Sequence, residues 1–201
     1  MKKLSTSLFT ILLGLAVIAQ TTITKEERSK VLDHMKATQA ELMTAVKGLS
    51  EAQLNFKAEE GAWSIAECVE HLAISENNIF GILEMTLKNE PDPSMRSEVK
   101  LSDEQILGLI ESREQKVKTR TEFEPTEKFG SYKGSIDNFK EKRKANMKFV
   151  KSTEEDLRNR YFDFPFGKVD AYQVVIFMSG HTRRHVKQIE EVKANSSFPN
   201  S

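Results

Sequence analysis

Three times this sequence sets a helix-capping box ahead of a segment with helical spacing. Ser64 precedes Ile65 with Glu67 three residues on, Ser102 is followed by Gln105, and Asp170 by Gln173. In such a box each side chain bonds the other residue's backbone N–H, so the chain is committed to starting a helix there. Behind each box, apolar residues return every three or four positions, the period of one helix face. Five proline and nine glycine residues in 201 are too few for a β protein built from repeated turns. These features predict an all-α chain.

Five periodic segments follow. The first spans about Lys25 to Lys47, with Val31, Met35, Leu42, Met43 and Val46 on one face and Gly48 as its stop. After a linker, SEAQLNFKAEEGA, the second runs from Ser64 to about Lys88. Its inward set includes Cys68, His71, Leu72, Ser75, Ile79 and Ile82. Pro91 and Pro93 end it. A polar connector reaches about Gly134 and holds a short helix from Ser102 to about Lys118. Its narrow stripe (Ile106, Leu109, Ile110, Val117) suits a side helix laid on the main body. The next helix begins at Ser135, with Ile136, Phe139, Arg143, Met147 and Val150 on its repeating face. The aromatic stretch RYFDFPFGKVD reads as a packed loop in preference to a hairpin. The last helix covers about Ala171 to Ala194, and the tail NSSFPNS reads as frayed. The expected architecture is a four-helix bundle whose long connection between the second and third bundle helices carries a short side helix. Such crossovers occur in bundles that are not simple up-down hairpins.

The N-terminus reads as an address. Lys2 and Lys3 precede a twelve-residue apolar run, LFTILLGLAVIA, ending in Val17-Ile18-Ala19. A basic start, a short apolar core and small residues at the end are the parts of a secretory signal. The run is shorter than the roughly 20 residues that span a bilayer. We expect residues 1–19 to be removed, residues 20–201 to form one domain, and the product to be periplasmic or secreted without stable membrane insertion. An uncleaved anchor is the alternative. The whole chain carries 30 basic and 30 acidic residues; loss of Lys2 and Lys3 makes the mature charge −2. That balance lacks the basic stripe a nucleic-acid partner requires. Cys68 is the one cysteine, so no internal disulfide and no Cys-rich metal site is available.

The chemistry rests on histidine. His181 and His185 are four residues apart on the last helix, so both rings leave one face about a turn apart and can bind one metal ion. Thr182 stands where the helical zinc-protease motif needs Glu. His71 belongs to the inward set of the second helix, and bundle packing can bring it opposite the pair. Three histidines would leave coordination positions open, the catalytic form of a metal site. A core histidine bonded to a neighbour is the plain alternative for His71. His34 reads as a surface or boundary residue. Cys68 shares the His71 face, as a further ligand, a reactive thiol or, more simply, a small buried hydrophobe. Trp63 either staples the chain to the helix it precedes or forms a pocket wall. Arg183 reads as solvated; Arg184 is a candidate to hold an anionic substrate group. Glu67, Glu70 and Glu76 lie near His71, and with Glu67 in the cap, Glu70 and Glu76 are candidate proton acceptors. No glycine-rich phosphate loop or serine nucleophile elbow is present.

Two motifs together carry a family resemblance. WSIAECVEHLAISE, Trp63 to Glu76, resembles the Trp-Ser-x-x-Glu-x-x-x-His-Leu start of the second helix in the DinB family. HTRRHVKQIEEV, His181 to Val192, is similar to that family's His-x-x-x-His-x-x-Gln-Ile. Ser135 to Leu157 fits its third helix, and the likeness extends over about Lys25 to Lys193. The family includes YfiT-like candidate metal hydrolases and bacillithiol S-transferases. The resemblance implies a divalent ion, nickel or zinc, held by His71, His181 and His185, and it makes a homodimer plausible. Export sits poorly with the thiol-transfer branch, because thiol cofactors are cytosolic reductants. The expectation is a metal-dependent hydrolase or small-group transferase acting on a small molecule. The alternative is an exported bundle that binds a small molecule or partner without catalysis, its histidines a structural or vestigial metal site.

Overall fold

The structure, a computed structural model, describes residues 22–115 and 117–200; the expected signal segment lies outside them. Four long helices form the body: α1 (Lys25–Ala45), α3 (Ile65–Thr86), α5 (Tyr132–Ser152) and α6 (Ala171–Lys193). They pack in the ring order α1–α6–α3–α5. Helices consecutive among these four, α1 with α3 and α5 with α6, therefore lie across diagonals. The long connection between α3 and α5 carries α4 (Asp103–Glu111), which packs on α6. This is the expected bundle, and within the described residues no helix is long and apolar enough to cross a membrane.

The caps form as read. Ser64, Ser102 and Asp170 each accept from the backbone N–H three residues on, and Glu67, Gln105 and Gln173 return the bond. Thr24 and Ser50 do the same with Glu27 and Gln53. The Ser50 box opens a five-residue helix, α2 (Glu51–Asn55), inside what the sequence offers as linker. Gln53 then donates to the Pro199 carbonyl (3.0 Å), and Phe198 meets Phe56 edge-on at 5.5 Å. The tail is thus docked, not frayed, up to the last described residues.

Two other expectations are corrected. α4 stops at Glu111, short of Lys118, because side chains of α6 take its C-terminal carbonyls. Arg184 donates to the carbonyls of Ser112 and Gln115, and Lys187 to that of Glu111. The stretch read as a packed loop is an antiparallel hairpin, β1 (Tyr161–Phe164) and β2 (Gly167–Asp170), with Tyr161 opposite Asp170 and Phe164 opposite Gly167. Gly167 has φ +130°, a turn conformation that other residues resist. The alternation of Phe162 and Phe164, two apart on one strand, is the period-two signal that the proline obscured.

α4 lies tight on α6. A Cβ on Gly180 would sit 3.0 Å from Leu107 Cδ1 and 3.4 Å from Ile110 Cγ2, so glycine is what permits this approach. Arg143 of α5 is fully buried in the bundle, and all five of its N–H groups are taken. They reach both oxygens of Glu76, the Met35 carbonyl, Thr38 Oγ1 and Thr182 Oγ1. One side chain thereby ties α5 to α1, α3 and α6.

Candidate metal centre

α3 and α6 are neighbours in the ring, and their contact brings His71 to the His181–His185 pair. Nε2 of His181 lies 3.3 Å from Nε2 of His71 and 3.2 Å from Nε2 of His185. The outer nitrogens of two rings are held. His71 Nδ1 meets the Phe123 carbonyl at 2.7 Å, and His185 Nδ1 meets Gln188 Oε1 at 2.9 Å. A carbonyl oxygen only accepts, so both Nδ1 atoms carry the proton and both Nε2 atoms turn a lone pair inward. His181 Nε2 can offer a proton to one of them, never to both.

Burial drives the same way. It pulls His71 down to about 4, against the Phe123 carbonyl, which favours the charged ring. His181 and His185 are held well below the ordinary histidine range, first by burial and then by the charges of the neighbouring rings. Three neutral imidazoles therefore converge on one point. Neutral imidazole is the form that ligates a metal. Nitrogens held at about 2.05 Å by a tetrahedral ion stand about 3.3 Å apart. The two observed spacings match that value, and the donor set fits a divalent ion.

The remaining expected residues divide. Trp63 is at the cluster: its ring centroid is 4.8 Å from that of His71 and 6.2 Å from that of His185, so it walls one side. Glu70 and Glu76 have other tasks. Glu70 Oε1 accepts the backbone N–H groups of Thr126 (3.0 Å) and Lys128 (2.7 Å), which fixes the connector. Both Glu76 oxygens face Arg143, at 2.7 and 2.8 Å. The carboxylates expected to accept a proton are thus engaged in holding the fold. Arg184 points to the carbonyls of Ser112 and Gln115, at and beyond the end of α4. Arg183 is not solvated: it pairs with Glu41 and Glu111 and meets the ring of His34, a boundary residue that also bonds Ser179. Cys68 is buried in the core and its thiol is pushed up to about 12, which favours the small-hydrophobe reading over a reactive thiol.

Sequence reasoning missed three contributors. The Phe123 carbonyl carries no side-chain signal at all. Gln188 was visible three residues after His185 but was not given a task. Ser75, one turn after His71, brings its hydroxyl 3.4 Å from His71 Nε2.

The comparisons agree with this picture. The DinB superfamily model matches residues 34–189. The uncharacterized protein YuaE of Bacillus subtilis (strain 168) is 29% identical over 157 residues, 76% of this chain and 91% of its own length. A 41-residue stretch is 46% identical to GK0616 of Geobacillus kaustophilus (strain HTA426), which carries a provisional metal-dependent hydrolase name; it covers 20% of this chain and 23% of that protein. Among solved structures, YfiT from Bacillus subtilis, described as a probable metal-dependent hydrolase with an unusual four-helix bundle topology, aligns at TM-score 0.60 and 19% identity, over 89% of this chain and 92% of its own. That likeness establishes the fold. With the bundle, the histidine cluster and a family match across most of its length, the chain belongs to the DinB superfamily.

Proposed function

We propose that this protein is a metal-dependent hydrolase of a small molecule, with His71, His181 and His185 holding a divalent zinc or nickel ion. One observation carries the reading: three neutral histidines converge, with His181 Nε2 3.2–3.3 Å from the Nε2 atoms of His71 and His185, while two of the outer nitrogens are fixed as donors. Without a cation, a proton on His181 Nε2 can satisfy one of the two facing lone pairs and leaves the other without a donor from the cluster. The metal-hydrolase names of GK0616 and YfiT favour hydrolysis over group transfer.

When bound, such an ion supplies Lewis-acid polarisation of an electrophile and a water acidic enough to ionise near neutral pH. The chain's own part is preorganisation. The Phe123 carbonyl and Gln188 fix ring orientation and tautomer. Trp63 covers His71 and His185 and keeps bulk water from that side. The Arg143–Glu76 pair sets α3 and α6 at the right separation from beneath, since Arg143 also bonds Thr182, the residue after His181. On residues 1–19 alone, the same reading places the enzyme outside the cytoplasm.

The test is metal analysis of the purified protein and of His181→Ala, with melting temperature and hydrolysis of a small ester and amide panel read in parallel. One divalent ion per wild-type chain, lost with all hydrolysis in the variant at a nearly unchanged melting temperature, is the expected result. Metal loss that lowers the melting temperature and alters no activity would mean a structural clip instead.

A further inference from the structure

The three histidines are unequally covered. His71 is 3% and His185 6% exposed, whereas His181 is only partly buried, so the cluster is least covered beside His181. Trp63 closes the side of the other two rings. The open side is continuous with an aromatic surface. Phe177, one turn before His181 on α6, lies stacked on it, with centroids 5.9 Å apart and planes at 13°. Phe164 stacks on Phe177 at 4.6 Å and 17°, and Phe166 on Phe164 at 5.1 Å and 10°. Phe166 is also 6.1 Å from Phe177 at 14°. Four rings from two separate elements thus share nearly one plane direction. Each is half-buried and not sealed in the core.

This arrangement differs from ordinary core packing, where edge-to-face contacts are equally favoured. Phe80 and Phe149 meet that way, at 87°. Near-parallel, partly exposed rings form an offset stack, and a further flat aromatic group can add to such a stack by offset stacking on the ring area left uncovered. The stack ends at His181, the least covered of the three histidines. A molecule whose polar head sits at the cluster would lay its other end here.

We propose that Phe164, Phe166 and Phe177 form a specificity platform, and that the substrate carries an aromatic group next to its hydrolysable bond. The hairpin is then the selectivity element of the site, and the histidines its reactive end. This rests on the metal-centre reading, and the experiment separates the two.

Zinc-loaded protein is titrated with benzohydroxamic acid and with acetohydroxamic acid, which share a metal-binding head and differ in the ring. The wild type should bind the aromatic compound about tenfold more tightly, as one or two stacked ring contacts provide. Phe164→Leu and Phe166→Leu keep apolar bulk and metal content and should bring the ratio close to the intrinsic difference of the two compounds. In parallel, metal-free protein is titrated with benzyl alcohol while the phenyl NMR resonances of Phe164, Phe166 and Phe177 are followed. Shifts confined to these rings, absent with cyclohexylmethanol, support the platform. No shift with benzyl alcohol, or an undiminished ratio in both leucine variants, overturns it. A wild type that takes up no metal overturns the metal reading, and the benzyl alcohol arm still decides the platform.

Discussion

The Arg143–Glu76 pair gives the sharpest quantitative expectation. Both side chains are buried to within 1% of full coverage, and the guanidinium makes five hydrogen bonds, two of them to Glu76. Replacing Glu76 by Leu leaves a permanently charged group without its counter-charge in the centre of the bundle. Removing one partner of a buried pair costs about 3–5 kcal/mol, because the remaining charge has lost its compensation. For a domain of this size each kcal/mol lowers the melting temperature by about 2–4 °C, so Glu76→Leu should melt roughly 6–20 °C below wild type. The double variant Arg143→Met/Glu76→Leu removes both charges and should recover most of that loss, since apolar replacement of a buried pair is often neutral. Urea unfolding followed by circular dichroism, on metal-free protein so that bound metal adds nothing, measures all four corners of the cycle. A Glu76→Leu loss below about 1 kcal/mol, or a double variant no more stable than the single one, would refute the argument that this pair ties the helices together.

Two further outcomes follow from the same geometry. Gln188→Leu removes the acceptor that holds His185 Nδ1–H, and metal affinity measured by competition with a chelator should fall about 10- to 100-fold with the fold intact. In metal-free protein, His34, His71, His181 and His185 are all lowered, chiefly by burial. Unfolded imidazoles take up protons near pH 6.5 while the folded ones stay neutral, so the unfolded state binds more protons and stability rises with pH. Stability is therefore complete above about pH 6.5 and declines as the pH falls toward 4, by about 1.4 kcal/mol per pH unit for each proton taken up. Urea midpoints between pH 8 and 5 check this; His34→Gln should flatten the slope by up to one proton, and a flat wild-type profile would contradict it.

Much of the fold was legible in local sequence. The starts of α3, α4 and α6 were fixed by capping boxes, whose bonds span three residues and need no tertiary partner. The same box at Ser50–Gln53 was overlooked because five residues are too few to show a helical period. α4 was drawn too long because its end depends on Arg184 and Lys187, more than 65 residues away in sequence, reaching its carbonyls. The hairpin was passed over because Pro165 sits at its turn, where a proline needs no ladder partner.

The site divides in the same way. The spacing of His181 and His185 is a property of one helix, and the sequence by itself determined that they share a face. That His71 stands opposite them, 110 residues away, was decided by the packing of α3 against α6. Which nitrogen of each ring faces inward depends on the Phe123 carbonyl and on Gln188, and a backbone carbonyl has no sequence signature. Packing also gave Glu70 and Glu76 to the connector and to Arg143, although both lie as close to His71 in sequence as a proton acceptor would. Caps and helical period act over three or four residues and can be read from the order of side chains. Lone-pair direction, burial and the partner of a buried charge arise only when distant helices meet, and they give these three histidines the convergent geometry on which the proposed metal centre rests.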